Sequence, residues 1–205
     1  MSLRVAVLIS GTGTNLQALL DTVHGRDGIE IVGVASSRAG APGLERAAAA
    51  GVESAVFALA DHANRAARDR ALGDWLEHRR VDLVVLAGFM ELLGAELVHR
   101  FAGRVVNVHP ALLPAFPGVG AIERALEHGV KVMGVTIHFV DEGVDSGPIV
   151  LQESFELPYH PDIAATRQRV HEIEHRLLPR AVRLIAAGRV RIDPANPRLV
   201  HVEPE

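Results

Sequence analysis

Asn107 and His109 stand two residues apart in the run Val105-Val106-Asn107-Val108-His109-Pro110. On a strand, two-residue spacing puts both side chains on one face. Pro110 cannot donate to a ladder, so the strand should stop there. An amide and an imidazole then sit together at a strand end, where open α/β sheets hold ligands. A second apolar strand, about 35 residues on, runs into Asp141-Glu142-Gly143-Val144-Asp145-Ser146-Gly147-Pro148. That turn can return a carboxylate to the same edge. Amide, imidazole and carboxylate together can polarise a carbonyl and move a proton. On spacing alone, the pair reads equally as a satisfied structural contact, and the acidic loop as an ordinary turn.

The elements that must position these groups follow from patterning. Arg4 to Ile9 is a buried parallel strand, and Leu16 to Val23 has helical spacing. Between them, Ser10-Gly11-Thr12-Gly13-Thr14-Asn15 offers bare backbone N–H groups to an anion at a helix start. The same turn reads as a plain helix start capped by Thr14 or Asn15. Ile29 to Ala35, Ala55 to Phe57 and Val81 to Ala87 are further strands. Gly43 to Ala50 is a short helix. Asp61 to Arg79 is an amphipathic helix that packs Leu72, Trp75 and Leu76 inward and leaves its arginines in solvent. Met90, Leu92 and Leu93, after the central strand, read as core or as an apolar slot for a flat ligand. Glu96 to Phe101 and Ala121 to His128 are helical, the latter stopped by Gly129.

Val130 to Val140 is a two-faced strand with Thr136 and His138 on one face, and Ile149 to Phe155 follows it. His138 either lines the site near Asp145 or is structural. Asp162 to Ala186 is a long helix, kinked at Pro179. Ile163, Val170, Ile173, Leu177, Leu178 and Leu184 are its core candidates. His171 and Glu174 share a face at i, i+3. Arg189 to Ile192 and Leu199 to Val202 form a small hairpin. The resulting fold class is α/β, with a three-layer, Rossmann-like, mostly parallel sheet and antiparallel strands added in the C-terminal half. Residues 1–205 are expected to form a single domain, with the site along the C-terminal strand ends.

Composition excludes several classes. Of 205 residues, 48% are hydrophobic, enough for a sizeable core, and the net charge is −4. There is no basic excess for nucleic acid. With no cysteine, disulfides and thiol catalysis are excluded. Eleven histidines are scattered without a convincing ligand spacing, so no metal is expected. No apolar run reaches the ~20 residues of a membrane span. A cytoplasmic protein is expected.

The combined pattern Asn107-x-His109-Pro110-x-Leu112-Leu113-Pro114-x-Phe116-Pro117-Gly118, then Gly134-Val135-Thr136-Ile137-His138-Phe139-Val140 and Asp145-x-Gly147-Pro148-Ile149, resembles the signature of the folate-dependent formyltransferases. The likeness runs from about Val5 to about Ile185. It implies formyl transfer from 10-formyltetrahydrofolate, a co-substrate, to the primary amine of glycinamide ribonucleotide in purine synthesis, with no metal. Asn107, His109 and Asp145 are the implied catalytic set: Asn107 and a protonated His109 donate to the oxyanion, and Asp145 takes the amine's proton. Gly13, Thr14 and Asn15 are implied to hold the substrate phosphate, and Glu174 to contact the acceptor. Arg65, Met90, Glu91, Leu92, Leu93, Asn107 and Asp141 are implied to hold the folate. Thr136 and His138 stand behind them. The sequence departs from the common pattern at Ala115 and Gly120, often basic and histidine in the family.

The expected partners are the two small molecules, without nucleic acid or membrane, and a homodimer is left open. Other acceptors stay open too, such as an amino sugar nucleotide, as does hydrolysis of formyltetrahydrofolate or non-catalytic folate binding. A tRNA formyltransferase is disfavoured because no C-terminal barrel follows the long helix. A deformylase is disfavoured because no regulatory domain precedes residue 4. A redox Rossmann enzyme would want an acidic residue where Ser36-Ser37-Arg38 stands.

Overall fold

The computed structural model describes residues 2–204. Contacts divide the chain into two compact units after Val106.

In the first unit, β1 (Leu3–Ile9), β2 (Ile29–Ser36), β3 (Ser54–Val56) and β4 (Leu83–Leu86) lie in the order β3-β2-β1-β4. β1 pairs in parallel with β2 and β4, and β2 with β3. β1 and β4 are almost wholly buried runs of Val, Ala, Leu and Ile, as a strand covered on both faces requires. The covering helices are α1 (Thr14–Thr22), α2 (Gly43–Ala49), α3 (Arg65–His78) and α4 (Ala95–Arg100). Ala6 and Gly33 are register partners, so they share a sheet face, and Ile9 takes the other. A Cβ on Gly33 would run into the Trp75 indole of α3, whereas Gly43 of α2 sits against Ile9. Helices therefore cover both faces, which gives three layers. α3 starts at Arg65, not near Asp61, because Leu59–Asp61 forms a 3-10 turn and the Asn64 side chain caps the helix by accepting from Ala67 N.

β5 (Val105–His109) spans the division, and the sheet order continues β5-β6-β7 with β6 (Val132–Phe139) and β7 (Ile149–Glu156). Counted through β5 the sheet has seven strands, mostly parallel, with β7 antiparallel to β6. α5 (Ala121–His128) ends on Gly129 at φ 76°. α6 (Ile163–Ala186) packs on β6, β7 and α5 through Val170, Ile173, Leu177, Leu178 and Leu184. Ile163 departs from its expected core place: as the first residue after the Asp162 cap it precedes the packed stretch and is 38% exposed. β8 (Val190–Ile192) and β9 (Val200–Val202) form an antiparallel hairpin.

Candidate active site

In the second unit, β5 delivers Asn107 and His109 to one face, and both reach Asp145. Asn107 Nδ2 donates to Asp145 Oδ1 at 3.2 Å, and His109 Nδ1 lies 3.2 Å from Asp145 Oδ2. Gly118 N donates to the same Oδ2 at 2.7 Å. His138 Nδ1 must donate to the Phe139 carbonyl at 2.8 Å, since a carbonyl only accepts. Its Nε2 therefore carries a lone pair, which faces Asn107 Nδ2 at 3.2 Å. Both Asn107 N–H bonds are thus spent on Asp145 and His138, and the amide oxygen is the end left to offer. At 3.6 Å, His138 Nε2 is too far from Asp145 Oδ1 for a hydrogen bond.

Two loops set this geometry. Asp145 has φ 50°, a left-handed conformation that aspartate tolerates better than most residues. Asp141 folds its loop by accepting from Gly143 N at 3.1 Å and Ser146 Oγ at 2.6 Å. A Cβ on Gly147 would run into the Phe139 carbonyl, so glycine is required there. The second loop, 110–120, contains the cis Leu113–Pro114 bond and Phe116 at φ 54°. Thr136 Oγ1 fixes it by donating to Ala111 O at 2.7 Å and accepting from Leu113 N at 3.1 Å. Gln152 Nε2 donates to Leu113 O at 2.9 Å and to Thr136 Oγ1 at 3.0 Å. Sequence reasoning missed Gln152, although antiparallel pairing sets it opposite Thr136.

His109 has acceptors at both nitrogens. Nε2 lies 2.9 Å from the Phe116 carbonyl, and Nδ1 faces the carboxylate. Burial holds its pKa below the ordinary histidine value, against the upward pull of Asp145 and the Phe116 carbonyl. The resting imidazole is therefore neutral at pH 7 and has one proton for two acceptors. Burial pushes Asp145 up, but the Gly118 N–H and the neighbouring His109 pull it down, and the carboxyl lies at about 2. Both directions run against expectation: desolvation disfavours the charged form of His109, and a carboxyl held this low is a weak base for an amine's proton.

The remaining residues are more dispersed. Glu174 is buried and His171 exposed. The His171 ring stacks on His175, one turn along α6, with centroids 6.1 Å apart. That His-x-x-x-His spacing does exist on a helix, contrary to the sequence reading. Even so, no group of three His, Cys, Asp or Glu among the described residues could hold a metal.

In the first unit, Gly13 caps α1 at φ 71° without a side-chain cap, so neither Thr14 nor Asn15 plays that part. A Cβ there would come within 2.7 Å of Gly43 Cα, and Arg46 Nε donates to Thr12 O at 2.8 Å. Arg65 is exposed at the start of α3. Met90 and Leu92 are 63% and 53% exposed, which overturns their reading as core, while Glu91 and Leu93 are half-buried.

Residues 3–182 match the Formyl transferase family. The chain belongs to that family. It is 41% identical over 190 residues to phosphoribosylglycinamide formyltransferase of Haemophilus influenzae, covering 92% of this chain and 90% of the relative. It is 46% identical over 194 residues to the trifunctional purine biosynthetic protein adenosine-3 of Drosophila melanogaster, where it spans 93% of this chain but 14% of the relative. The crystal structure of glycinamide ribonucleotide transformylase 1 from Symbiobacterium toebii superposes with a TM-score of 0.94 at 46% identity, over 99% of this chain and 95% of that one. Family membership implies a folate co-substrate. Among the described residues no helix is long and apolar enough to cross a membrane.

Proposed function

We infer that the chain transfers the formyl group of 10-formyltetrahydrofolate to the amine of glycinamide ribonucleotide, releasing tetrahydrofolate, in de novo purine synthesis. The observation that carries this reading is Asp145, held by Asn107 and the Gly118 N–H, set against a buried His109 with acceptors at both nitrogens. The match to a stand-alone phosphoribosylglycinamide formyltransferase across nearly its whole length supports the choice of acceptor.

The neutral amine attacks the formyl carbon, and negative charge builds on the formyl oxygen while the nitrogen becomes cationic. His109 Nε2 is the donor for that oxygen, which must displace the Phe116 carbonyl as its partner. The amine's proton passes through water to the imidazole, and both ring nitrogens become donors. Asp145 stabilises this imidazolium; the bond from the formyl carbon to the folate nitrogen then breaks, and the imidazolium returns the proton to that nitrogen as tetrahydrofolate leaves. Asn107 holds Asp145 and His138 through its N–H bonds and turns its carbonyl toward the amine. Gly13, Thr14 and Asn15 take the acceptor's phosphate on the start of α1. Glu174 contacts the acceptor. Arg65, the loop from Met90 to Leu93, and Asp141 take the folate. The two substrates are the only partners this reading requires, and the enzyme belongs to the cytoplasm.

The test is incubation of the purified protein with 10-formyltetrahydrofolate and glycinamide ribonucleotide. The formylated ribonucleotide and tetrahydrofolate should appear in equal amounts by mass spectrometry. Formate release that ignores the amine, or formylation confined to an amino sugar nucleotide, would reject the assignment.

A further inference from the structure

α3 buries a charged pair that the reaction does not use. Arg68 and Asp69 have side-chain exposures of 0% and 4%, and Arg68 Nε lies 2.6 Å from Asp69 Oδ1. Sequence patterning places Arg68 among solvated arginines, so its burial is a correction that needs a cause. Adjacent residues on a helix do not face one another, and burying two ions is costly unless each finds further partners. Both find them in one segment, the irregular loop 87–94. Arg68 Nη2 donates to Leu92 O at 2.9 Å, and its guanidinium lies 5.7 Å from the Phe89 ring centre. Asp69 Oδ2 accepts from Gly94 N at 2.7 Å. The other end of the loop is tied where Ser10 Oγ accepts from Met90 N at 2.8 Å. A Cβ on Gly94 would come within 2.9 Å of Asp69 Oδ2, so any side chain there must push the clamping carboxylate aside.

The clamp also decides what the loop presents. These peptide bonds are trans, so a carbonyl and the following N–H point in opposite directions. With Leu92 O and Gly94 N drawn toward α3, the N–H and C=O of Leu93 both point away from it. One donor and one acceptor on a single residue form an edge that can read a planar heterocycle with a complementary edge. The exposed Met90 and Leu92 side chains stand beside it.

We propose that Arg68 and Asp69 are positioning residues which fix this edge, and so set affinity and selectivity for the pterin ring of the formyl donor. The inference rests on the reading that loop 89–93 binds the folate. Arg68→Met keeps length and removes both charge and clamp. Loss of a hydrogen bond to a charged group should raise the KM for 10-formyltetrahydrofolate about tenfold. The KM for glycinamide ribonucleotide should change little, whereas the Tm should fall, because removing one partner leaves Asp69 buried without its counter-charge. Arg68→Lys, which can still reach Leu92 O, should recover part of the affinity. Gly94→Ala is the milder second variant and should raise the folate KM severalfold by pushing on Asp69.

Titration with tetrahydrofolate alone should show the same order of affinities. A folate KM within twofold of wild type in both Arg68→Met and Gly94→Ala would overturn the proposal, as would equal losses for both substrates. Leu92→Asp separates the two readings. If it leaves folate binding intact, the loop is not the folate site. If it abolishes folate binding while Arg68→Met does not, only the clamp is wrong.

Discussion

His109 is a neutral imidazole between two acceptors, and its chemistry follows from that mismatch. His109→Ala should cut turnover by roughly 10²–10³, the usual worth of an oxyanion donor. Asp145→Asn keeps shape and hydrogen-bond reach to Gly118, yet should cost up to roughly 10⁴, because the imidazolium loses its counter-charge. The two act as one unit, so the double variant should lose far less than the product of the single losses. The pH profile carries a further sign. Asp145 pulls the His109 pKa up, so any limb of the rate profile that belongs to His109 should move to lower pH in Asp145→Asn. With its own pKa at about 2, Asp145 should shape no limb near neutrality, and the acid fall should follow the substrate amine. Steady-state kinetics across pH on folded variants check this. Full additivity, or an unmoved limb that is lost in His109→Ala, would reject the coupling.

At the scale of elements, the loop that carries Asp145 is held from far away. Arg198, in the β8–β9 turn, donates to Ser146 O at 2.6 Å. The turn is pinned by Asp193, which accepts from Ala195 N at 2.8 Å and Asn196 N at 3.0 Å, and by Asn196 Oδ1, which accepts from Arg198 N at 3.1 Å. Beside it, a cavity of about 330 Å³ lined by Leu113, Pro117, Val144 and Asp145 leaves the loop without packing on that side. Arg198→Ala should therefore lower kcat severalfold with both KM values held, and Arg198→Lys should keep most of the rate. Hydrogen exchange over 141–148 should rise in the alanine variant; unchanged kcat and exchange would remove Arg198 from the account. This contact was not legible in the sequence, since nothing local to Arg198 points to Ser146, and it lies beyond the residues that match the family. By contrast β5, the Gly129 stop of α5 and the β6–β7 pair were legible, because alternation, proline and glycine act locally. Ile163 and Arg68 were misjudged for one shared reason. Periodicity gives a residue's face, but burial depends on which distant element or loop covers that face.

At the scale of the whole molecule, the protonation state of His109 becomes a statement about folding. A histidine whose pKa is lowered in the folded state binds fewer protons there than when unfolded. The unfolded chain then takes up protons first as pH falls through about 6.5, the ordinary histidine value, so stability falls on acidification. His175, lowered by burial and by His171, adds in the same direction. Asp145 acts further down: its stabilisation is present above the ordinary carboxyl range and is lost as pH falls toward about 2, amounting to about 2 kcal/mol. Urea unfolding at intervals from pH 7.5 to 5 should therefore show wild-type stability decreasing with pH. His109→Gln should flatten part of that slope, and the residue should be His175's share. The opposite slope would mean a raised folded pKa: stability present below about 6.5 and lost as pH climbs through a higher folded value. Stability that rises on acidification, and loses that rise in His109→Gln, would show that His109 is charged at rest. The imidazole would then enter the reaction already carrying the proton that the neutral reading has it gain in the intermediate.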